Sequence, residues 1–228
     1  MVGQRAEGYR VTADAAADAP PDAPVRLPAA QRREQLLQVA RCVLAQRGFY
    51  ETTMADIADS AGVTKPVLYQ HFASKRDLYS AVLRDIGSRL RAAVVGAASE
   101  AVTPRQQVDA GFRAYAQFVE EDTEGFQILF SGTSRQDGEW ATITGEVEHS
   151  IAQGIAELID VPQISYAHRQ ALAHGIMGLA ESMMRYWQSG TVGGLDRDEL
   201  INDLSALAWG GLRGLEPERL TDHADGRS

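Results

Sequence analysis

The chain has 228 residues and a mass of 24.7 kDa, with 44% hydrophobic residues and a formal net charge of −9. That is length and apolar material enough for one large domain, or a small one joined to a larger one, and it excludes global disorder. One cysteine excludes a disulfide framework; no run approaches the roughly 18–20 apolar residues that cross a bilayer, and no apolar signal segment opens the chain, so a cytoplasmic protein without a membrane partner is expected.

In chain order, residues 1–28 are rich in Ala, Asp and Pro without apolar period, the pattern of a disordered arm. From Ala29 the sequence turns helical: Leu36, Leu37, Ala40, Val43 and Leu44 share one stripe, which stops at Gly48, a C-terminal cap. Cys42 lies on that stripe and reads as a small core residue. Thr53 caps a second helix with Asp56 three residues on and Gly62 just past its end, and Met54, Ile57, Ala58 and Ala61 form its inner face. Thr64 caps a short helix running to Phe72, and Ser74 caps a long one in which Leu78, Val82, Leu83, Ile86 and Leu90 recur at helical spacing.

Pro104 opens the next helix, with Val108, Phe112, Tyr115 and Val119 on its stripe, followed by the compact apolar segment "EGFQILFSG". After the loop "TSRQDGE", Ile143, Val147, Ile151, Ile155 and Leu158 form another stripe that ends near Pro162. Two long apolar patterns, "SYAHRQALAHGIMGLAESMMRYWQSG" and "DRDELINDLSALAWGGLRGL", precede a flexible tail over 216–228. No alternating strand pattern competes, so the fold class is all-α with about nine helices. The division expected is a three-helix unit over 29–74 and a larger helical unit over 75–215.

Charge is unevenly spread. From Arg26 to Arg76 there are eight basic and four acidic residues, net +4, whereas from Asp77 onward 12 basic face 23 acidic, net −11. A locally basic module on an acidic body is the footprint of a nucleic-acid binder. Within that module "SAGV" joins two short helices as in a helix-turn-helix: Ala61 and Gly62 permit the tight turn and Val63 fills the gap. Pro66 falls in the first turn of the next helix, where its missing N–H costs little. Val67, Leu68 and Phe72 point inward, leaving Lys65, Tyr69, Gln70 and His71 outward. Thr64, Tyr69, His71 and Lys75 carry donors for phosphate oxygens, while Lys65 and Gln70 suit guanine and adenine edges.

The ordered set "TTMADIADSAGVTKPVLYQHFASKRDLYSAVL" resembles the DNA-binding domain of the tetracycline-repressor (TetR) family of bacterial regulators, over about Gln31 to Leu83. The resemblance implies an Ω-shaped homodimer of nine- or ten-helix chains, with three N-terminal helices on a double-stranded operator and a larger domain for ligand and dimerisation. Through the family's Thr-Thr position it adds Thr53 to the DNA-binding set. Pro66 departs from the glycine common at that position.

A regulator of this kind senses a small effector in its body. Candidate walls are Phe112, Tyr115, Phe126, Leu129, Phe130, Val147, Ile151, Met177 and Met184, since aromatics and flexible Met suit an apolar ligand. Glu181 and Arg185, four apart in the same stretch, are polar groups for that cavity or a surface ion pair. "VTKPVLYQHF", "RYW" and "AWGGL" are together similar to actinobacterial regulators of fatty-acid synthesis that sense long-chain acyl-CoA. For dimerisation, Gly175, Gly178, Met183, Tyr186, Leu204, Leu207 and Trp209 are expected on the last two helices, forming a four-helix bundle with a second copy.

Other function classes fare worse. An enzyme is not expected: there is no GxxxxGK[ST], GxGxxG or GxSxG run. No metal or cofactor is implied, because His168 and His174 stand about 600° apart around a helix at ~100° per residue. A helical protein–protein adaptor accounts for the C-terminal helices but leaves Thr64 to Lys75 unexplained. A repressor of an efflux gene responding to a hydrophobic drug is the alternative within the family.

Overall fold

The computed structural model describes residues 27–131, 137–161, 164–190 and 193–215, so nearly all of the expected arm and the whole tail lie outside the described residues. Within the described residues there are nine helices and no strand: α1 (Ala29–Glu51), α2 (Met54–Ser60), α3 (Lys65–His71), α4 (Lys75–Glu100), α5 (Pro104–Glu121), α6 (Thr123–Leu129), α7 (Gly138–Leu158), α8 (Tyr166–Gln188) and α9 (Arg197–Arg213).

Local chemistry sets most of the starts. Thr53 with Asp56, Thr103 with Gln106, and Asp196 with Glu199 each form a reciprocal capping box. Ser74, Asp122, Asp137 and Ser165 each accept a backbone N–H in the first turn. Such caps contribute about 1 kcal/mol each by supplying acceptors for N–H groups the helix cannot satisfy. α1 breaks where Gly48 takes φ 75°, a backbone that only glycine adopts at little cost. The chain then turns through Phe49 to Glu51 into the cap of α2.

α1 to α3 pack around Leu36, Ala40, Ile57, Leu68 and Phe72, each at most 1% exposed. α4, about 39 Å long at 1.5 Å per residue, runs from this head through the body, where it packs on α5 on one side and α7 on the other. Two glycines let α7 approach closely. A Cβ on Gly87 of α4 would lie 2.3 Å from Val147 Cγ1, and one on Gly154 of α7 would lie 2.6 Å from Val95 Cγ2. Head and body meet at an aromatic cluster: the Phe49, Tyr79 and Trp140 rings lie 4.3–5.2 Å apart, and Trp140 is fully buried. Arg76 lies over the Trp140 ring and pairs with Asp137 and Glu139, fastening the start of α4 to the start of α7.

Candidate nucleic-acid interface and ligand cavity

The turn between α2 and α3 is built by backbone alone. Ala61, Gly62 and Val63 donate to Ile57, Asp59 and Ala58 carbonyls at 2.9, 3.1 and 3.0 Å, and Gly62 takes φ 64°. Leu68 and Phe72, 0% and 1% exposed, pin one side of α3 to the head core. The opposite side is bare: Thr64, Lys65, Pro66 and Gln70 are exposed, Tyr69 is 50% exposed, and His71 is half-buried against Phe72. Among the described residues, Lys65, Tyr69 and Gln70 have no hydrogen bond or ion pair, so their polar groups stay available.

Three residues expected at this surface have other attachments. Thr64 occupies the N-cap position of α3, but its hydroxyl makes no cap bond, which corrects its capping role and leaves the hydroxyl free. The Thr53 hydroxyl donates to Asp56 Oδ2 at 2.7 Å and accepts from the Asp56 N–H, closing the α2 capping box. Lys75 points back into the head instead of outward. Its Nζ donates to the Phe49 and Thr52 carbonyls at 2.7 Å each and lies 4.2 Å from the Phe49 ring centroid. The break at Gly48 strands those carbonyls, and the ammonium supplies their donors.

Asp56 also accepts from Arg47 at 3.2 Å. The Thr53 hydroxyl, then the Thr53 backbone, then Arg47 hold its carboxyl below the ordinary carboxylate range.

In the body, α4, α5, α7, α8 and α9 enclose a partly open cavity of about 550 Å³, within the range of small-molecule sites. Six expected wall residues line it: Phe112, Tyr115, Phe130, Ile151, Met177 and Glu181. Four do not, and each has a packing reason. Val147 interlocks with Gly87. Leu129 and Met184 are 0% and 2% exposed within the filled core, and Phe126 sits behind the wall, edge-on to Tyr115 and 4.9 Å from Phe130. Leu90 of α4, Val108 of α5, Ile155 of α7 and Trp209 of α9 are walls that the sequence reading named only as helix faces or dimer contacts, and Val94 of α4 is a wall that it did not name. Glu181 pairs with Arg185 one turn on, so the polar group in this wall is already part of an ion pair.

The expected dimer residues divide in the same way. Leu204 is 3% exposed and belongs to the chain's own core, and Trp209 is half-buried at the cavity. Tyr186 and Leu207, 51% and 61% exposed, and the open-sided Gly175 and Gly178 stand on α8 and α9 with Leu179 beside them. Cys42 is half-buried, with Sγ 3.8 Å from Glu124; burial, then that carboxylate, pushes the thiol up and away from the reactive thiolate. Among the described residues, no three His, Cys, Asp or Glu side chains gather as metal ligands, and no helix is long and apolar enough to cross a membrane.

A bare recognition-helix face on a small head, carried by a long helix into a hollow helical body, is the architecture of a DNA-binding regulator. The chain belongs to the TetR family: residues 36–82 match the family described as "Bacterial regulatory proteins, tetR family". It is 34% identical to the transcriptional activator FasR of Mycolicibacterium smegmatis over 188 residues, 82% of this chain and 85% of FasR. It is 49% identical to the transcriptional repressor KstR2 of the same organism over 65 residues, 28% of this chain and 31% of KstR2. Among solved structures, a TetR-like regulator from Rhodococcus sp. RHA1 superposes with a TM-score of 0.65 at 28% identity, over 83% of this chain and all of the other. The fold is shared by the fatty acid degradation regulator FadR of Bacillus halodurans, with a TM-score of 0.68 at 19% identity over 80% and 96% of the two chains. The protein is thus a DNA-binding transcriptional regulator and not an enzyme.

Proposed function

We propose that this regulator acts in the cytoplasm as a homodimer whose operator affinity is set by a long apolar effector in the body cavity, a long-chain acyl-CoA being the leading candidate. One observation carries the reading: a cavity of about 550 Å³ whose walls are predominantly aliphatic and aromatic, inside a chain alignable with FasR over 82% of its length. Such a lining favours an alkyl chain, whose burial releases ~0.8 kcal/mol per CH₂. The sequence resemblance to acyl-CoA-sensing regulators of fatty-acid synthesis supports the same class.

The DNA-binding set proposed is Thr53, Thr64, Lys65, Pro66, Tyr69, Gln70, His71 and Lys75. Lys75 and Thr53 act through the shape of the α1–α2 corner, and the others by direct contact. Two heads about 34–36 Å apart then read successive major-groove faces. Dimerisation through the exposed α8 and α9 face sets that spacing, with Tyr186 and Leu207 at the contact.

The test has two arms. Gel shifts with DNA upstream of the protein's own gene, at graded salt, should show sequence-selective binding that weakens as salt rises; absence of binding at low salt sinks the operator arm. Mass spectrometry of natively purified protein, with thermal shift against palmitoyl-CoA, tests the effector. No co-purified lipid and no shift with acyl-CoA retires the lipid reading, and a shift with hydrophobic drugs alone points to the efflux-repressor alternative.

A further inference from the structure

Among the described residues, Asp122 is the one charged residue buried outright, at 4% exposure. It lies at the corner between α5 and α6, where Oδ1 accepts the Gly125 N–H at 2.9 Å and so caps α6. Its Oδ2 accepts from two arginines of different elements: Arg41 of α1 at 2.8 Å, and Arg89 of α4. Arg41 is a residue of the DNA-binding head, while Arg89 is halfway along the helix that joins head to body. The corner is moulded to this arrangement, since a Cβ on Gly125 would lie within 2.5 Å of Asp122 Oδ2.

The other end of α6 reaches the cavity. α6 is about 10 Å long, and its C-terminal cap residue Phe130 lines the cavity with its ring tilted against Phe126, which stands edge-on to the wall residue Tyr115. About two turns of helix therefore have the effector cavity at their C-terminal end and a two-arginine clasp at their N-terminal end. The clasp is not fully bonded: Arg41 Nε is buried without a hydrogen-bond partner. Arg89 divides its charge among Asp122, Asp85 at 4.0 Å and the face of Phe118. A guanidinium with an unmet donor, and another with a second carboxylate in reach, can both exchange partners over a small displacement.

We propose that Asp122 is a positioning residue that couples the cavity to the DNA-reading head. A shift of α6 carries this carboxylate, and the Arg41 contact passes the shift to α1. The Arg89 contact holds α4 in register with both. Arg41 is only 13% exposed and turned inward, so its part is played through Asp122 and not on phosphate. The inference rests on the reading of the cavity as a sensor, but linkage lets it be tested from the DNA side with no effector: if α6 and the head are coupled, operator binding must alter α6.

The experiment measures amide hydrogen exchange over residues 123–130 of the full chain, with and without saturating operator DNA selected from a random pool by the wild-type protein. Wild type should change exchange in this segment at least fivefold on DNA binding. Arg41→Gln leaves Asp122 paired with Arg89, so folding should survive; the response should drop below twofold, and Arg41→Lys should recover part of it. Asp122→Asn should lose the response as well. A wild-type segment indifferent to DNA, or Arg41→Gln responding like wild type, overturns the proposal. If Arg41→Gln does not melt cooperatively, the comparison of Arg41→Lys with wild type decides in the same way. Palmitoyl-CoA binding by Arg41→Gln, measured separately, should stay within threefold of wild type. Failure of wild type itself to bind that probe fails the effector reading alone, not the clasp.

Discussion

The head and the body expose polar and apolar material for opposite reasons. In the head, α3 turns Lys65, Tyr69 and Gln70 to solvent with no partner among the described residues, and beneath them Leu68 and Phe72 are packed to completion. In the body, the helices are apolar inward yet leave about 550 Å³ unfilled between them. One region is a full core under an unsatisfied polar face, the other an unfilled core. A binding site for a charged polymer needs the first arrangement, and a site for an apolar molecule needs the second. The contrast says where a substitution should cost stability and where it should cost function.

The largest effect expected is on the packed side of the head. Phe72→Ala should lower the unfolding free energy by ~3–5 kcal/mol, because a buried aromatic is removed and a void is left. Phe112→Ala, on the cavity wall, should cost distinctly less than that, since part of its surroundings is already open. Denaturant titration of both variants compares the two regions directly, and equal losses would mean that the cavity is not a cavity in solution. Gly87→Ala comes next, at ~1–3 kcal/mol of overpacking, because the added methyl meets Val147 at 2.3 Å. The same substitution at Gly175, where nothing lies within 4 Å, should leave the isolated chain unharmed and so report only on what a second copy needs there.

On the unsatisfied surface the order reverses. Lys65→Ala or Gln70→Ala should change stability by less than ~0.5 kcal/mol while lowering discrimination between operator variants by ~1–3 kcal/mol, as expected for a lost base contact. Anisotropy titrations over a panel of operator variants check this, and an equal loss on every variant would make these residues phosphate contacts only. Thr53→Ala and Thr64→Ala separate the two properties within the head itself. The Thr53 hydroxyl is locked in a capping box, so its loss should cost ~1 kcal/mol of stability. The Thr64 hydroxyl has no cap bond, so its removal should leave the melting curve in place and weaken DNA binding.

How far the sequence anticipated each region follows from the range of the interactions. The helix-turn-helix was legible because it is local: the capping residues, Gly62 and the Leu68–Phe72 spacing are all set within a few residues. Lys75 was misplaced because its acceptors, the Phe49 and Thr52 carbonyls, lie 26 and 23 residues earlier and exist only after Gly48 breaks α1. In the body, periodicity shows which face of a helix turns inward but not whether the facing helix fills the space. Phe112 and Met177 on the wall and Phe126 and Met184 behind it give the same signal in sequence. Val147 was distinguishable only through Gly87 on another helix, a pairing that no stripe displays.

The smallest effect expected is on pH, and it appears in both regions with different causes. Asp56, in the head, is held below the ordinary carboxylate value first by the Thr53 hydroxyl; Asp137, at the start of α7, is held there first by Arg76. A carboxyl whose folded value lies below its unfolded value of about 4 stabilises the fold fully above that value, and the contribution fades as pH falls through the folded value. Stability should therefore be flat from neutrality down to about pH 4 as far as these groups are concerned, and decline below it. Both carboxylates are part-buried, at 32% and 19% side-chain exposure, and still reach solvent, so screening keeps the decline shallow. Thr53→Ala should flatten only the head's share of that limb and Arg76→Gln only the body's. If one substitution removed the whole acid limb, the two regions would not be holding their caps independently, and the separation of head from body would fail at the aromatic cluster of Phe49, Tyr79 and Trp140.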